Sequence, residues 1–236
     1  MPTVASILPE QLLWAYSQGF FPMAHHRRSS QVQWFSPDPR ALLPLESMHL
    51  SRSLRRRIKR GDYEITRDRC FEQVIRCCAQ PRPGEPQTWI NSQIREVFLT
   101  LHAQGHAHSV EAWLPIEGHP RCAALPTAPG ATPLDRMPTA QAQELGLAGD
   151  GCYRLAGGIY GLAIGGAFFA ESMFSRAVDA SKVCLAMLAD HLRQRGFTLL
   201  DVQFPNPHLE QFGVVTVPRS EYLRRLETAV KQPVSW

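Results

Sequence analysis

The sequence lacks most of what marks a membrane-spanning, secreted or metal-centred protein. In its 236 residues no apolar run approaches the roughly 20 that cross a bilayer. Residues 1–10 lack the charged start and long apolar stretch of a secretory signal. There are 6 cysteines but no CxxC pair. Cys77 and Cys78 are adjacent and the others are scattered, which argues for reduced thiols in a cytoplasmic protein and against a disulfide frame or a zinc site. His102, His106 and His108 lie close in sequence, but Gly105 interrupts their helical spacing, so no metal is expected. The glycines at 157, 158, 161, 165 and 166 are followed by no Lys-Ser/Thr and form no GxGxxG. They read as close-packed strands and a tight turn instead of a phosphate cradle. Ser172 and Ser175 lack the GxSxG elbow. Cys184 falls on the apolar side of a helical pattern and reads as inert packing. No internal repeat is present.

What is there suits an ordinary soluble chain, 44% hydrophobic and long enough for one sizeable core with a small accessory unit. Helical patterns are expected over Pro9–Gly19, Cys70–Cys78, Asn91–Gln104, Ser181–Gly196 and Arg219–Leu226, with Ser181 as a cap and Gly105 and Gly196 as stops. Strands are expected at Ala41–Leu45, Tyr63–Thr66, Ser109–Leu114 and Leu199–Phe204, with a hairpin of Leu155–Ile164 and Ala167–Phe169 about Gly165-Gly166. Phe20–Arg40 and Pro81–Pro86 read as turn or loop. From about Pro115 to Tyr153 the chain turns to Pro, Ala, Thr and Gly with few large aliphatics, and a flexible insertion is expected there. Helices and strands mix without strict alternation, so the class is α+β.

The net charge is a mild +4, yet Arg52, Arg55, Arg56, Arg57, Lys59 and Arg60 crowd into one or two helical turns, with Leu54 and Ile58 as the apolar anchor. A solvated helix face is the plain reading; a phosphate backbone lying there is the functional one. Trp89, between a Pro-rich loop and a helix, is either a core indole or a platform for a single-stranded base. The run Leu199–His208 begins as a buried strand and ends in a stiff polar loop. Strand alternation turns Asp201 and Gln203 to one face. A carboxylate and a carboxamide beside an apolar strand are either satisfied structure or a site. Glu171, a second acid in an apolar setting, tips the balance toward a site.

These residues sit in blocks that resemble the leucyl/phenylalanyl-tRNA–protein transferase family. The blocks are YSQGFFP from Tyr16, FSPDPR from Phe35, HLSRSLRRR from His49, TWI from Thr88, LHAQGHAHSV from Leu101, GGIYG from Gly157, ESMFSR from Glu171, ASK from Ala180, DVQFPNPH from Asp201 and VPRSEYL from Val217. They are collinear and cover most of the chain outside 115–153. The resemblance implies a small N-terminal unit (1–38) and a GNAT-like acyltransferase domain (39–236, with 115–153 inserted). It implies transfer of Leu, and of Phe and Met, from aminoacyl-tRNA to the N-terminal Arg or Lys of acceptor proteins. That marks the acceptors for degradation under the N-end rule. A cytoplasmic monomer is expected, with no membrane partner. No cofactor or metal is implied, since the tRNA ester is already activated.

Residue by residue, the resemblance implies Glu171, Asp201 and Gln203 as catalytic positions. Trp89 would stack on the terminal adenine, and Asn206 belongs to the substrate-binding motif. Ile159, Phe168, Met173, Leu185, Leu188 and Leu200 would form a pocket for the Leu or Phe side chain. Arg52, Arg56, Lys59 and Arg60 would hold the acceptor stem. The chain departs from the pattern at Met23, where a second stacking Trp is usual, and at Ala170, where Gly is usual. In the expected chemistry Gln203 aims the attacking amine through its amide oxygen, Asp201 polarises Gln203, and Glu171 orients substrate. A CoA-dependent GNAT N-acyltransferase and a non-catalytic tRNA-binding module are the alternatives. The first would need a Q/R-x-x-G-x-G/A loop, which is absent.

Overall fold

A mixed sheet runs through the middle of the chain, with helices packed on both faces. The computed structural model describes residues 7–81, 87–116, 136–137 and 152–236. In chain order the elements are α1 (Pro9–Ser17), β1 (Phe21–Ala24), β2 (Val32–Phe35), β3 (Arg40–Leu42), α2 (Arg52–Arg60), β4 (Glu64–Arg67), α3 (Phe71–Cys78), α4 (Ser92–Ala103), β5 (Ala107–Ile116), β6 (Arg136–Met137), β7 (Cys152–Ile164), β8 (Ala167–Ser175), α5 (Ala180–Arg195), β9 (Leu199–Gln203), α6 (Pro207–Glu210), β10 (Val215–Val217) and α7 (Arg219–Val230). The large sheet has the order β10-β3-β9-β8-β7-β5-β4, with β6 paired to β7. Among the described residues only β8 and β9 are parallel; α5 makes the crossover between them, as parallel pairing requires. Strands β1 and β2 form a separate antiparallel hairpin. The class is α+β, as the mixed pattern predicts.

Alternation along the strands divides the buried side chains into two cores, one on each face of the sheet. One holds Tyr16, Phe98, Tyr160, Phe169, Tyr222 and Leu226, under α1, α3, α4 and α7. The other holds Ile159, Phe168, Leu185, Leu188 and Leu200, under α5. The glycines of GGIYG allow this close layering. A Cβ on Gly157 would lie 2.7 Å from that of Ala180 on α5, and one on Gly161 would run into the Phe169 carbonyl oxygen.

Several expectations need correction. Strand β8 continues past Phe169 to Ser175, which puts Glu171 inside a strand. The segment Phe20–Arg40, read as turns, contains β1 and β2; Pro22 lies in the two-stranded hairpin, where a missing N–H is tolerated, and Pro37 and Pro39 fall between β2 and β3. Ser181 does not cap α5. Asp179 occupies that position with φ +63° and no side-chain cap bond. The Ser181 backbone N–H donates instead to Ser175 Oγ at 3.2 Å. Most of the expected insertion at 115–153 lies outside the described residues. Its two ends are strand, since β5 runs to Ile116 and β7 starts at Cys152. Among the described residues no helix is long and apolar enough to cross a membrane.

Candidate active site

Asp201 is fully buried, and a carboxylate taken out of water costs several kcal/mol unless it is paired. Its partner is Arg40 at the start of β3, equally buried. Arg40 Nε donates to Asp201 Oδ1 at 2.9 Å and Nη2 to Oδ2 at 2.7 Å, a two-pronged contact. Arg40 Nη1 donates to the Gly19 carbonyl at 3.1 Å. The guanidinium lies against the rings of Phe21 and Tyr222, 4.8 and 4.5 Å from their centroids. Burial works against the Arg40 charge, but Asp201 outweighs it and the net shift is upward. Tyr222 Oη donates to Asp201 Oδ2 at 2.6 Å, and the backbone N–H of Gln203 donates to Oδ1 at 2.9 Å.

Gln203 has φ +59°, and the pairing of β3 with β9 slips between Ala41 and Leu42. On its other side Asp201 lies opposite Phe169 of the first core, and the Glu171 carboxyl that the Gln203 carboxamide reaches adjoins Tyr16 of that same core. Asp201 grips the Gln203 backbone through its N–H, and among the described residues no hydrogen bond joins Asp201 to the carboxamide. Its charge is balanced by Arg40 and is not left to attract an ammonium.

The carboxamide turns instead to Glu171. Gln203 Nε2 donates to Glu171 Oε1 at 3.1 Å. With the amide so oriented, Gln203 Oε1 remains an acceptor for another group. Glu171 sits in a β-bulge: Gly161 pairs with Ala170 and Tyr160 with Ser172, so Glu171 is the extra residue. The residue as a whole is part-buried, with its carboxyl enclosed. Burial is the main reason its pKa is raised to about 8; Asp201 adds to the rise, while Tyr16 and Arg40 oppose it. The Tyr16 hydroxyl is enclosed beside Glu171 but completes no hydrogen bond of good geometry. Its own pKa is driven up by burial first and Glu171 second. A carboxyl that titrates near 8 lies beside the 7.7–8.0 of an α-amine.

Strand β1 links this centre to Trp89. Phe21, at one end of β1, touches Arg40 and packs edge-on to Phe204, centroids 5.6 Å apart. Ala24, at the other end, donates its N–H to the Trp89 carbonyl at 3.1 Å. Three strand steps separate the two ends, about 10 Å. Trp89 is part-buried and packs with Met23 against the first core.

The candidate pocket residues all gather in the second core. Ile159, Phe168, Leu185, Leu188 and Leu200 are closed in, each no more than 3% exposed. Met173, opposite Ile159 and two residues after Glu171, is only part-buried. It is the member of the set nearest the acid that meets solvent. Asn206 is exposed and caps α6, its Oδ1 accepting from the Leu209 N–H at 2.9 Å.

Helix α2 is anchored by buried Leu54, capped by Ser51 Oγ and ended by left-handed Gly61. Arg52, Arg56 and Lys59 are exposed, and among the described residues they form no ion pair. Arg60 differs: its Nε and Nη2 reach Asp62 at 2.9 and 2.7 Å. No acid occupies the first turn, so the helix dipole and the arginines near it repel one another. That arrangement favours an anion at the helix. A separate groove of about 750 Å³ is lined by Glu10, Gln11, Trp14, Ala15, Phe20 and Trp34, and contains none of the candidate residues.

The sequence model described as "Leucyl/phenylalanyl-tRNA protein transferase" matches residues 42–118 and 149–227. A second, for the N-terminal domain of the same proteins, matches residues 5–38. The chain belongs to the leucyl/phenylalanyl-tRNA protein transferase family. Relatives of that name are 44% identical in Chlorobaculum parvum over 95% of this chain and 96% of the relative. In Ruegeria pomeroyi the figures are 44%, 95% and 88%, and in Novosphingobium aromaticivorans 44%, 95% and 71%. The solved structure of FemX superposes with a TM-score of 0.44 at 14% identity, over 92% of this chain and 64% of that one.

Three residues of the centre escaped the sequence reading: Arg40, Tyr222 and Tyr16. Each lies in one of the blocks that carry the family resemblance, FSPDPR, VPRSEYL and YSQGFFP. The signal was available, since a buried Asp201 demands a cation, and Arg40 is the basic residue of its block.

Proposed function

We propose that this chain moves Leu or Phe, and Met, from aminoacyl-tRNA to the N-terminal Arg or Lys of proteins, as a cytoplasmic monomer of an N-terminal unit (1–38) and a catalytic domain (39–236). The observation that carries the reading is the Gln203–Glu171 contact. It leaves an amide oxygen beside a carboxyl tuned to an amine.

In the proposed reaction the acceptor's α-amine donates one N–H to Gln203 Oε1 and so faces the ester carbonyl. Its nitrogen attacks the carbonyl carbon. As the C–N bond forms, Glu171 in its carboxylate form takes the amine proton. The bond from the carbonyl carbon to the ribose oxygen then breaks, and that oxygen receives the proton from Glu171. The acid ends as it began. Matched pKa values make the first transfer nearly thermoneutral, which suits a general base. Trp89, about one β1 length away, is assigned the terminal adenine. The Leu or Phe side chain would enter the second core beside Met173, whose flexible thioether adapts to either shape. Holding amine and ester together supplies much of the rate. Arg52, Arg56 and Lys59 are assigned the acceptor stem, with Arg60 contributing less.

The test is purified protein with leucyl-tRNA and an Arg-leading peptide, read by mass spectrometry. Addition of one Leu at the peptide N-terminus is expected, with phenylalanyl-tRNA and methionyl-tRNA as further arms. No product with any donor, or equal product from a peptide led by Ala, overturns the reading.

A further inference from the structure

The hairpin loop between β1 and β2 carries His25, His26, Arg27 and Arg28, four exposed residues in a row. Hydrogen bonds tie both sides of this loop to the chain around Trp89. On one side the Ala24 N–H donates to the Trp89 carbonyl. On the other, Asn91 Nδ2 donates to the Ser29 carbonyl at 2.9 Å. Within the loop the Ser29 N–H donates to the His26 carbonyl at 2.8 Å, and the Arg28 N–H to His26 Nδ1 at 3.2 Å. That bond makes Nδ1 the acceptor and leaves Nε2–H of His26 as an outward donor. Among the described residues neither Arg27 nor Arg28 has an ion-pair partner, and no acid interrupts the loop.

Resting on the function proposed above, we propose that Arg27 and Arg28 bind the phosphodiester backbone of the single-stranded 3′ end of the tRNA, just before the base held by Trp89. Two adjacent guanidinium groups and an imidazole N–H repel one another in water and gain from phosphate oxygens. Arg27 is three residues from Ala24, so its Cα lies within about 11 Å of the chain beside Trp89, and its side chain extends that reach. A nucleotide preceding a base stacked on Trp89 must place its phosphate in the same neighbourhood. Helix α2 lies elsewhere in the chain and is assigned the duplex stem. The loop and α2 would thus hold two different parts of one RNA.

A thermodynamic cycle tests this. Binding is measured for two acceptor-stem hairpins, one with its single-stranded 3′ end and one trimmed flush, to the native chain and to Arg27→Gln/Arg28→Gln. For the hairpin with the 3′ end, the variant should raise Kd about tenfold near 0.1 M salt. It should also lower the slope of log K against log salt by about 1.4, the release expected from two single-strand phosphates. For the flush hairpin Kd should change less than about twofold. Arg27→Lys/Arg28→Lys should restore most of the affinity, which separates charge from loop shape. Equal losses on both hairpins, or no loss on either, overturn the assignment. If the native chain adds no Leu to any peptide, the proposed function fails first. If it transfers Leu and the cycle is flat, only the loop assignment falls.

Discussion

Replacing Arg40 by Met tests the centre most sharply. Met fills much of the same volume without charge. It removes both prongs to Asp201, the bond to the Gly19 carbonyl and the two ring contacts. Asp201 would keep only the Tyr222 hydroxyl and the Gln203 N–H. Breaking one side of a buried pair costs about 3–5 kcal/mol, because a charge is left without compensation. The ring contacts add up to about 1–2 kcal/mol. Against a total stability of about 5–15 kcal/mol, the loss of about 4–7 kcal/mol should take from about a quarter to all of it at 25 °C. Denaturant unfolding followed by circular dichroism gives the value. The companion is Arg40→Met/Asp201→Asn. An Asn at 201 is neutral, and its Oδ1 can still accept the Gln203 N–H. The double variant should be more stable than Arg40→Met by about 2 kcal/mol or more, and should retain more transferase activity. That ordering is the reverse of what two independent losses would give. A loss below about 1 kcal/mol for Arg40→Met, the worth of an exposed pair, would refute the account. So would a double variant less stable than the single.

Glu171→Gln should change how rate depends on pH. If the amine and Glu171 must both shed a proton, log rate below pH 7.5 should rise with a slope near 2 in the native chain and near 1 in the variant; a slope of 1 in both would assign the proton to the substrate. The same group links pH to stability: folded, its pKa is about 8 against an ordinary 4.5, so the native state holds the extra proton and stability falls as pH rises between these values. Denaturation midpoints at pH 5 and 9 should show that fall in the native chain and a smaller one in Glu171→Gln. Trp89→Ala should raise KM about 5–150-fold, the worth of one stacked base, for aminoacyl-tRNA and for a short aminoacyl-nucleoside alike; a loss confined to tRNA would argue against stacking on the terminal base. Arg56→Ala should weaken tRNA binding more than Arg60→Ala, because Asp62 already holds the Arg60 fork; equal effects in a filter-binding titration would show that the Asp62 pair opens on binding.

Local pattern made much of the fold legible. In α4, Ile94, Val97, Phe98 and Leu101 repeat at helical spacing, and Asn91 caps the helix by accepting from the Ile94 N–H at 2.9 Å. In α2 the apolar anchor and charged sides follow from Leu54 and Ile58. Pairing across the chain was not legible in this way. Arg40 and Asp201 are 161 residues apart, and no local rule joins them. The cap of α5 was misplaced for a related reason. Ser181 has the right chemistry and nearly the right position, but a hydroxyl six residues upstream already accepts its N–H. Strand β1 was hidden by Pro22, which reads as a turn unless it is known to lie in a two-stranded hairpin.

The reactive groups defied pattern reading most, because both sit where the backbone is irregular. Glu171 is the bulged residue of β8, and bulges re-aim side chains that regular alternation would send elsewhere. Gln203 adopts the left-handed region, which costs a residue with a Cβ about 1–3 kcal/mol and persists only where neighbours enforce it. The enforcing contact is visible: Asp201 Oδ1 accepts the N–H of that same residue. Asp201 can do so because Arg40 and Tyr222 neutralise it and hold it still. The acid two positions before the amide thus has a mechanical purpose. It holds the strand end in the turn from which Gln203 reaches Glu171 on the neighbouring strand. The register of β8 and β9, with Phe169 opposite Asp201, brings Gln203 abreast of Glu171, and the bond from Gln203 Nε2 to Glu171 Oε1 leaves the amide oxygen to face the amine.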